Sequence, residues 1–204
     1  MGKILITGAA GFIGLNLARG LLKTNNKLYL LDNLSRGKID HNLRELLKNK
    51  NVNFLKRDLT KNLNFREKFD YIFHLASIVG VKNVNKNPLN TINNNIISTI
   101  NLIKSIKNRK KLKFIFFSTS EVYSSATKLN SKFKPALETS DLLIKSKTES
   151  RDSYYLSKLV NEKILSLSGI KFLILRPHNI YGPRMGHSHV IPELINRINN
   201  KRKC

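Results

Sequence analysis

Lys3-Ile-Leu-Ile-Thr-Gly-Ala-Ala-Gly-Phe-Ile-Gly14 is the stretch from which the rest of the chain is read. Ile4, Leu5 and Ile6 form an apolar run with β-branched residues, too short for a helix, so they read as a strand buried on both faces. Thr7 to Gly11 make a tight glycine turn, and from Phe12 onward Phe12, Ile13, Leu17, Leu21 and Leu22 fall at helical spacing. A helix that begins there aims unpaired N–H groups and its positive dipole end at the turn, which suits a phosphate. Gly8 permits the sharp turn, Gly11 the close approach of a pyrophosphate, and Gly14 the packing of helix on strand. The spacing is Gly-x-x-Gly-x-x-Gly rather than the common Gly-x-Gly-x-x-Gly.

Outward from that turn, Lys27–Leu31 is a second β-prone run ending in Asp32-Asn33. An acid there, roughly 20 residues past the glycines, is placed to hold a ribose hydroxyl. The alternative is a loop residue that caps the next helix. Further strands are read at Val52–Lys56, Tyr71–Ala76, Lys113–Ser118 and Lys171–Arg176. Helices are read at Phe12–Thr24, Ile39–Asn49, Pro88–Lys107 and Asp152–Ser168, with at most a helical turn between Asp58 and Asp70. This alternation predicts an α/β fold, a Rossmann-type, doubly wound parallel sheet. The stretch from Ser124 to Arg151 reads as a surface loop near the site.

The chain has 204 residues, enough for one real core, and 41% of them are hydrophobic, which excludes a disordered chain. The net charge of +24 would suit an anionic partner, but the lysines are spread, with small clusters only at Lys110-Lys111 and Lys201-Arg202-Lys203. We therefore expect no nucleic-acid partner. The one cysteine, Cys204, can build neither a disulfide framework nor a thiolate metal site. His187 and His189 lack a third ligand at helical spacing, so no metal is expected. The chain enters its first strand at once and holds no apolar run long enough to cross a bilayer. The expectation is a cytoplasmic protein with no membrane partner.

Ligands of such a sheet gather beyond the carboxyl ends of its strands. Those ends carry Asp58-Leu59, His74-Leu-Ala-Ser77, Ser118-Thr-Ser-Glu-Val-Tyr123 and Arg176-Pro-His-Asn-Ile-Tyr-Gly-Pro-Arg184. Asp58 could accept from an adenine amino group or cap a helix. Tyr154 and Lys158 lie four apart on one helix face, whereas Tyr155 is rotated off it toward packing. A phenol titrates near ~10, too high for a base at neutral pH, and a nearby ammonium is expected to lower it. Tyr154 then serves as general base toward a sugar hydroxyl, with Ser118, Thr119 or Ser120 holding the same oxygen. A lone Tyr-x-x-x-Lys can equally be ordinary helix decoration. Glu121 either assists acid–base work or pairs with a lysine.

Taken together, Thr7–Gly14, Asp32-Asn-Leu-Ser-Arg-Gly37, Asp58-Leu59, His74–Ser77, Asn95–Leu102, Ser118–Tyr123, Tyr154-x-x-x-Lys158 and Arg176–Pro183 resemble the extended short-chain dehydrogenase/reductase superfamily. The resemblance is to its NAD-dependent epimerase/dehydratase branch, which acts on nucleotide sugars. It implies NAD as cofactor, since Asp32 would repel a 2′-phosphate, although Arg36 lies nearby. It implies catalysis by Tyr154 and Lys158 with Thr119 or Ser120, and Glu121 beside them. It implies a cofactor site of Gly8, Gly11, Phe12, Ile13, Gly14, Asp32, Asn33, Asp58, Leu59, Leu75, Ala76, Ser77, Asn95, Ser118, Tyr154, Lys158 and Pro177. Substrate contacts are implied at Ser120, Tyr154 and Asn179.

The implied activity is that of a UDP-glucose 4-epimerase-like enzyme oxidising a nucleotide-diphosphate sugar, most simply a UDP-sugar, at C4. The alternatives are a decarboxylase, a 4,6-dehydratase or a non-catalytic NAD-binding fragment. Dehydratases of this pattern carry Asp-Glu after the Thr, where this chain has Ser120-Glu121. The resemblance also implies a homodimer paired through the helices at Pro88–Lys107 and Asp152–Ser168. Residues 1–180 are expected to form the NAD-binding domain and 181–204 to begin a substrate-binding region that is largely missing.

Overall fold

β1 (Lys3–Thr7) is the centre of the computed structural model, paired in parallel with β2 (Lys27–Asp32) on one side and β4 (Tyr71–His74) on the other. The structure describes residues 2–106, 110–123, 136–142, 144, 146–186 and 190–201. β3 (Val52–Lys56) pairs with β2, and β5 (Lys113–Phe117) and β6 (Lys171–Leu175) continue from β4. The order is β3-β2-β1-β4-β5-β6, all parallel, so every carboxyl end lies on one rim. This is the doubly wound sheet expected, with its switch point between β1 and β4.

Period-two alternation splits the core into two layers. Ile4, Ile6, Leu28 and Leu30 pack with Leu15 and Ala18 of α1 (Phe12–Leu22) and with Leu43 and Leu46 of α2 (His41–Leu47). Leu5, Tyr29, Leu31, Ile72, Phe114 and Phe116 pack with Leu102 and Ile103 of the long helix Pro88–Ser105 and Leu165 of the helix Asp152–Leu167. Each such side chain contributes roughly 1.5–3 kcal/mol by burial. The segment between β3 and β4 forms no helix. It plugs the second layer with Leu59, Leu63, Phe65 and Phe69, the last two meeting edge-on at 5.4 Å.

The remaining elements are α3 (Val81–Lys86), α4 (Pro88–Ser105), a 3₁₀ turn at Ser120–Tyr123, α5 (Asp152–Leu167) and α6 (Val190–Lys201). α2 starts at His41 rather than Ile39 because Asp40 caps it, its carboxylate accepting from Leu43 N. β4 stops at His74, two residues early. Beyond it Leu75 N donates to Thr7 O and Ala76 N to Thr7 Oγ1, so a side chain replaces the ladder. β5 and β6 end one residue early and β2 runs one longer. α3, α6 and the 3₁₀ turn are not among the elements expected. Ser124, Lys107, His187, His189, Arg202, Lys203 and Cys204 lie outside the described residues. Among the described residues no helix is long and apolar enough to cross a membrane.

Candidate active site

The glycine turn is shaped by missing atoms. Gly8 has φ +69°, and a Cβ there would stand 2.8 Å from Ala76 N, so the turn and the end of β4 share space that only glycine leaves open. A Cβ on Gly14 would stand 2.8 Å from Ala9 Cα, inside the turn. Gly11 N donates to Gly8 O, closing the turn, and Phe12 and Ile13 open α1 behind it. Their N–H groups have no intrahelical acceptor.

Asp32 closes the far wall. It does not cap α2; Asp40 does. Its Oδ2 accepts from Ala10 N at 3.0 Å and its Oδ1 from Leu34 N at 2.8 Å. A carboxylate has about four lone-pair sites, so acceptor capacity remains for a ribose. Asn33 is exposed and its side chain accepts from Ser35 N. Asp58 caps no helix: its Oδ1 accepts from both the N–H and the hydroxyl of Thr60. Leu59 is a core side chain whose carbonyl accepts from Asn101. Leu75 and Ala76 are half-buried, each packed on one core layer, and Ser77 follows them. Arg36 reaches across to donate to Val79 O.

Asn95 joins this half to the other. Its Oδ1 accepts from Ile78 N at 2.7 Å and its Nδ2 donates to Ser157 Oγ at 3.0 Å, tying the segment after β4 to α5. His74 is fully buried between the hydroxyls of Thr7 (2.7 Å) and Thr99 (3.1 Å). Burial pushes its pKa down to about 3, helped by the positive charge of Lys158, so the ring is neutral and structural.

At the β5 end, Tyr154 is half-buried and hydrogen-bonded to the Thr119 hydroxyl. Tyr155 packs into the interior, as its position implies. Lys158 is 3% exposed, and its Nζ donates to Phe117 O at 2.7 Å and lies 5.9 Å from the Tyr154 ring centre. The expected lowering of the phenol is overturned. Burial pushes Tyr154 up to about 12 and the Glu121 carboxylate adds to the rise, while the Thr119 bond only partly opposes it. Burial also pushes Lys158 down to about 7, against the pull of Glu162. The ammonium is itself desolvated and turned onto a carbonyl, so it does not govern the phenol.

Ser118 differs from the expectation too. Its hydroxyl donates to the buried Glu162 carboxylate, so it is not the group that faces Tyr154. Ser118 N and Ser120 N donate to Leu175 O and Pro177 O, locking the ends of β5 and β6 together. Glu121 pairs with Arg151 at 3.4 Å rather than with a lysine. Asn179 is exposed on the segment after β6.

Glu162 and Arg176 were missed as a pair. Arg176 Nε and Nη2 donate to the two Glu162 oxygens at 3.0 and 2.7 Å, and the guanidinium stacks 4.7 Å from the Tyr123 ring centre. The signal was present: Glu162 stands four residues past Lys158 on the same helix face. Among the described residues no cluster could hold a metal.

Residues 4–204 match the NAD-dependent epimerase/dehydratase family. The chain is 35% identical to the dTDP-D-glucose 4,6-dehydratase of Dictyostelium discoideum over 99% of its own length and 49% of that protein's. It is 34% identical to the UDP-N-acetyl-alpha-D-glucosaminuronate decarboxylase of Bacillus cytotoxicus, over 95% of this chain and 60% of that one. The solved UDP-glucuronic acid 4-epimerase of Bacillus cereus, in complex with NAD, superimposes with a TM-score of 0.76 at 29% identity, covering 98% of this chain and 63% of that one. The chain thus spans 49% and 60% of these two relatives' lengths.

Proposed function

The chain belongs to the NAD-dependent epimerase/dehydratase family, and from that premise we propose that it is the dinucleotide-binding and catalytic part of a nucleotide-sugar 4-epimerase acting on a UDP-sugar. The observation that carries the proposal is Tyr154, half-buried, bonded to Thr119 and set on the rim that also bears the glycine turn. Support for the cofactor comes from the turn, which Gly8 and Gly14 let pack tightly against the end of β4 and the start of α1, and from the Asp32 carboxylate beside it.

In this reading the turn from Gly8 to Gly14, with the N–H groups of Phe12 and Ile13, holds the pyrophosphate. Asp32 and Asn33 hold the adenosine ribose, and Asp58 and Leu59 the base. Leu75, Ala76, Ser77 and Asn95 line the middle of the site, and Lys158, Ser118 and Pro177 the nicotinamide end. A bound NAD would supply the hydride acceptor for C4 and the donor that returns the hydride to the opposite face of the 4-keto sugar, and its positive ring would favour the phenolate. Tyr154 takes the proton of the C4 hydroxyl, held by the Thr119 and Ser120 hydroxyls, and returns it when the 4-keto carbon is reduced again. Asn179 reaches the substrate's phosphates. Residues 1–180 form the dinucleotide-binding domain, and 181–204 begin the substrate-binding region. Two copies pair through α4 and α5.

Ser120-Glu121 in place of Asp-Glu supports epimerisation over dehydration, and suits a decarboxylase equally well. The test is incubation with UDP-glucose and NAD, with product separated by chromatography. UDP-galactose is the expected product, and Tyr154→Phe should lower its rate about 10²–10⁴-fold. A second reading, a non-catalytic NAD-binding unit, is favoured by the phenol standing near 12. NAD binding by calorimetry without UDP-sugar binding would select it.

A further inference from the structure

Arg184 lies 173 residues from Gly11, yet its guanidinium is bonded to the glycine turn. Nη1 donates to Ala10 O at 3.1 Å and to Gly11 O at 3.2 Å. Nε donates to Asp40 Oδ2 at 2.7 Å, and Nη2 to Lys38 O at 3.4 Å. One side chain thus joins the segment after β6, the turn after β1 and the loop before α2. The backbone at Arg184 is left-handed, φ +73°, a conformation that a non-glycine residue holds only when its surroundings fix it. Two contacts flank it on the N-terminal side. Asn16 Nδ2 donates to Pro183 O, and Gly182 lies against the Phe12 ring. Against the opposing effect of burial, the Leu43 N–H and the Arg184 guanidinium hold the Asp40 carboxyl below its ordinary range.

The consequence follows from peptide geometry. A trans peptide points its C=O and N–H in opposite directions. Gly11 O accepts from Leu15 N, the first bond of α1, and from Arg184 as well, so the guanidinium is a second hold on a carbonyl whose peptide turns the Phe12 N–H toward the N-terminal end of the helix. That N–H is the first of α1, without an intrahelical acceptor. We propose that Arg184 is a positioning residue for the dinucleotide, which ties the glycine turn and the start of α1 to the loop before α2 and the segment after β6, so that the free N–H groups of Phe12 and Ile13 keep their place for a pyrophosphate. It acts through the turn, and it makes cofactor affinity depend on the segment that leads away from β6. The inference rests on the reading of the turn as a dinucleotide seat.

The test is calorimetric titration of the chain with NAD and with ADP-ribose, which carries the same pyrophosphate without nicotinamide. Arg184→Ala should weaken both ligands about tenfold or more. Arg184→Lys keeps the charge but cannot span two carbonyls and Asp40, so it should fall with the alanine variant. It also serves if the alanine variant does not fold. Three results overturn the proposal: unchanged affinity in the variants, a lowered melting temperature with unchanged affinity, or a loss confined to NAD. If the unaltered chain binds neither ligand, the dinucleotide reading fails first and takes this one with it.

Discussion

On the β1–β2 side of the rim the site is made of backbone, with Gly8 and Gly14 omitting atoms and one carboxylate, Asp32, facing N–H donors. On the β5–β6 side it is made of buried side-chain charge, with Lys158, Glu162 and Arg176 stacked behind Tyr154 and Thr119. The first half keeps its shape by steric exclusion and by backbone N–H donors to one side chain. The second half depends on which of its groups carry protons, because low dielectric magnifies every unpaired charge. The two halves of one rim thus answer to different forces.

Removing charge from the second half should test this contrast most severely. Glu162→Ala leaves the Arg176 guanidinium with its buried partner gone and should cost about 3–5 kcal/mol of unfolding free energy, read by urea denaturation. A loss under 1 kcal/mol would mean that half is no more charge-dependent than the glycine turn. Acid should act next. His74 titrates near 3 when folded and near 6.5 when unfolded, so the folded chain binds fewer protons between those values. Stability is therefore full above pH 6.5 and declines as pH falls toward 3; replacing His74 by Gln should flatten that decline. Lys158 works in the same sense at higher pH, its contribution being complete only above 10.5 and lost as pH falls toward 7.

A smaller effect belongs to the first half. Both Asp32 oxygens accept from backbone N–H groups, so Asp32→Asn sets an amide NH₂ against a donor and should cost about 1–3 kcal/mol by thermal unfolding. If it costs as much as Glu162→Ala, the contrast between the halves disappears. Smallest of all, Asn179→Ala on the exposed segment should change stability by less than about 0.5 kcal/mol while weakening UDP-sugar binding in a fluorescence titration.

The same division governs what could be read from residues alone. Strand positions, the glycine turn and the Tyr154–Lys158 face were legible, because they depend on spacing and on the absence of side chains. Element ends were less so: Thr7 Oγ1 takes over the ladder at Ala76, and Asp40 rather than Ile39 sets the start of α2. α6 escaped notice although Ile191, Leu194, Ile195 and Ile198 repeat at helical spacing, because Pro192 stands in its first turn. The proton affinity of Tyr154 is the reverse of the expected sense. Spacing shows that an ammonium lies near a phenol, but only the packed structure shows that both are dry.

The central strand has a consequence for biosynthesis. β1 is made first, yet one of its two neighbours, β4, is not complete until His74 has been added. A ribosome-bound chain shorter than that holds an apolar strand with one flank open, a template for pairing with a neighbouring nascent chain. Pausing or premature termination before that point should leave material that recruits chaperones, and completion of β4 passes the open flank outward until β5 is added.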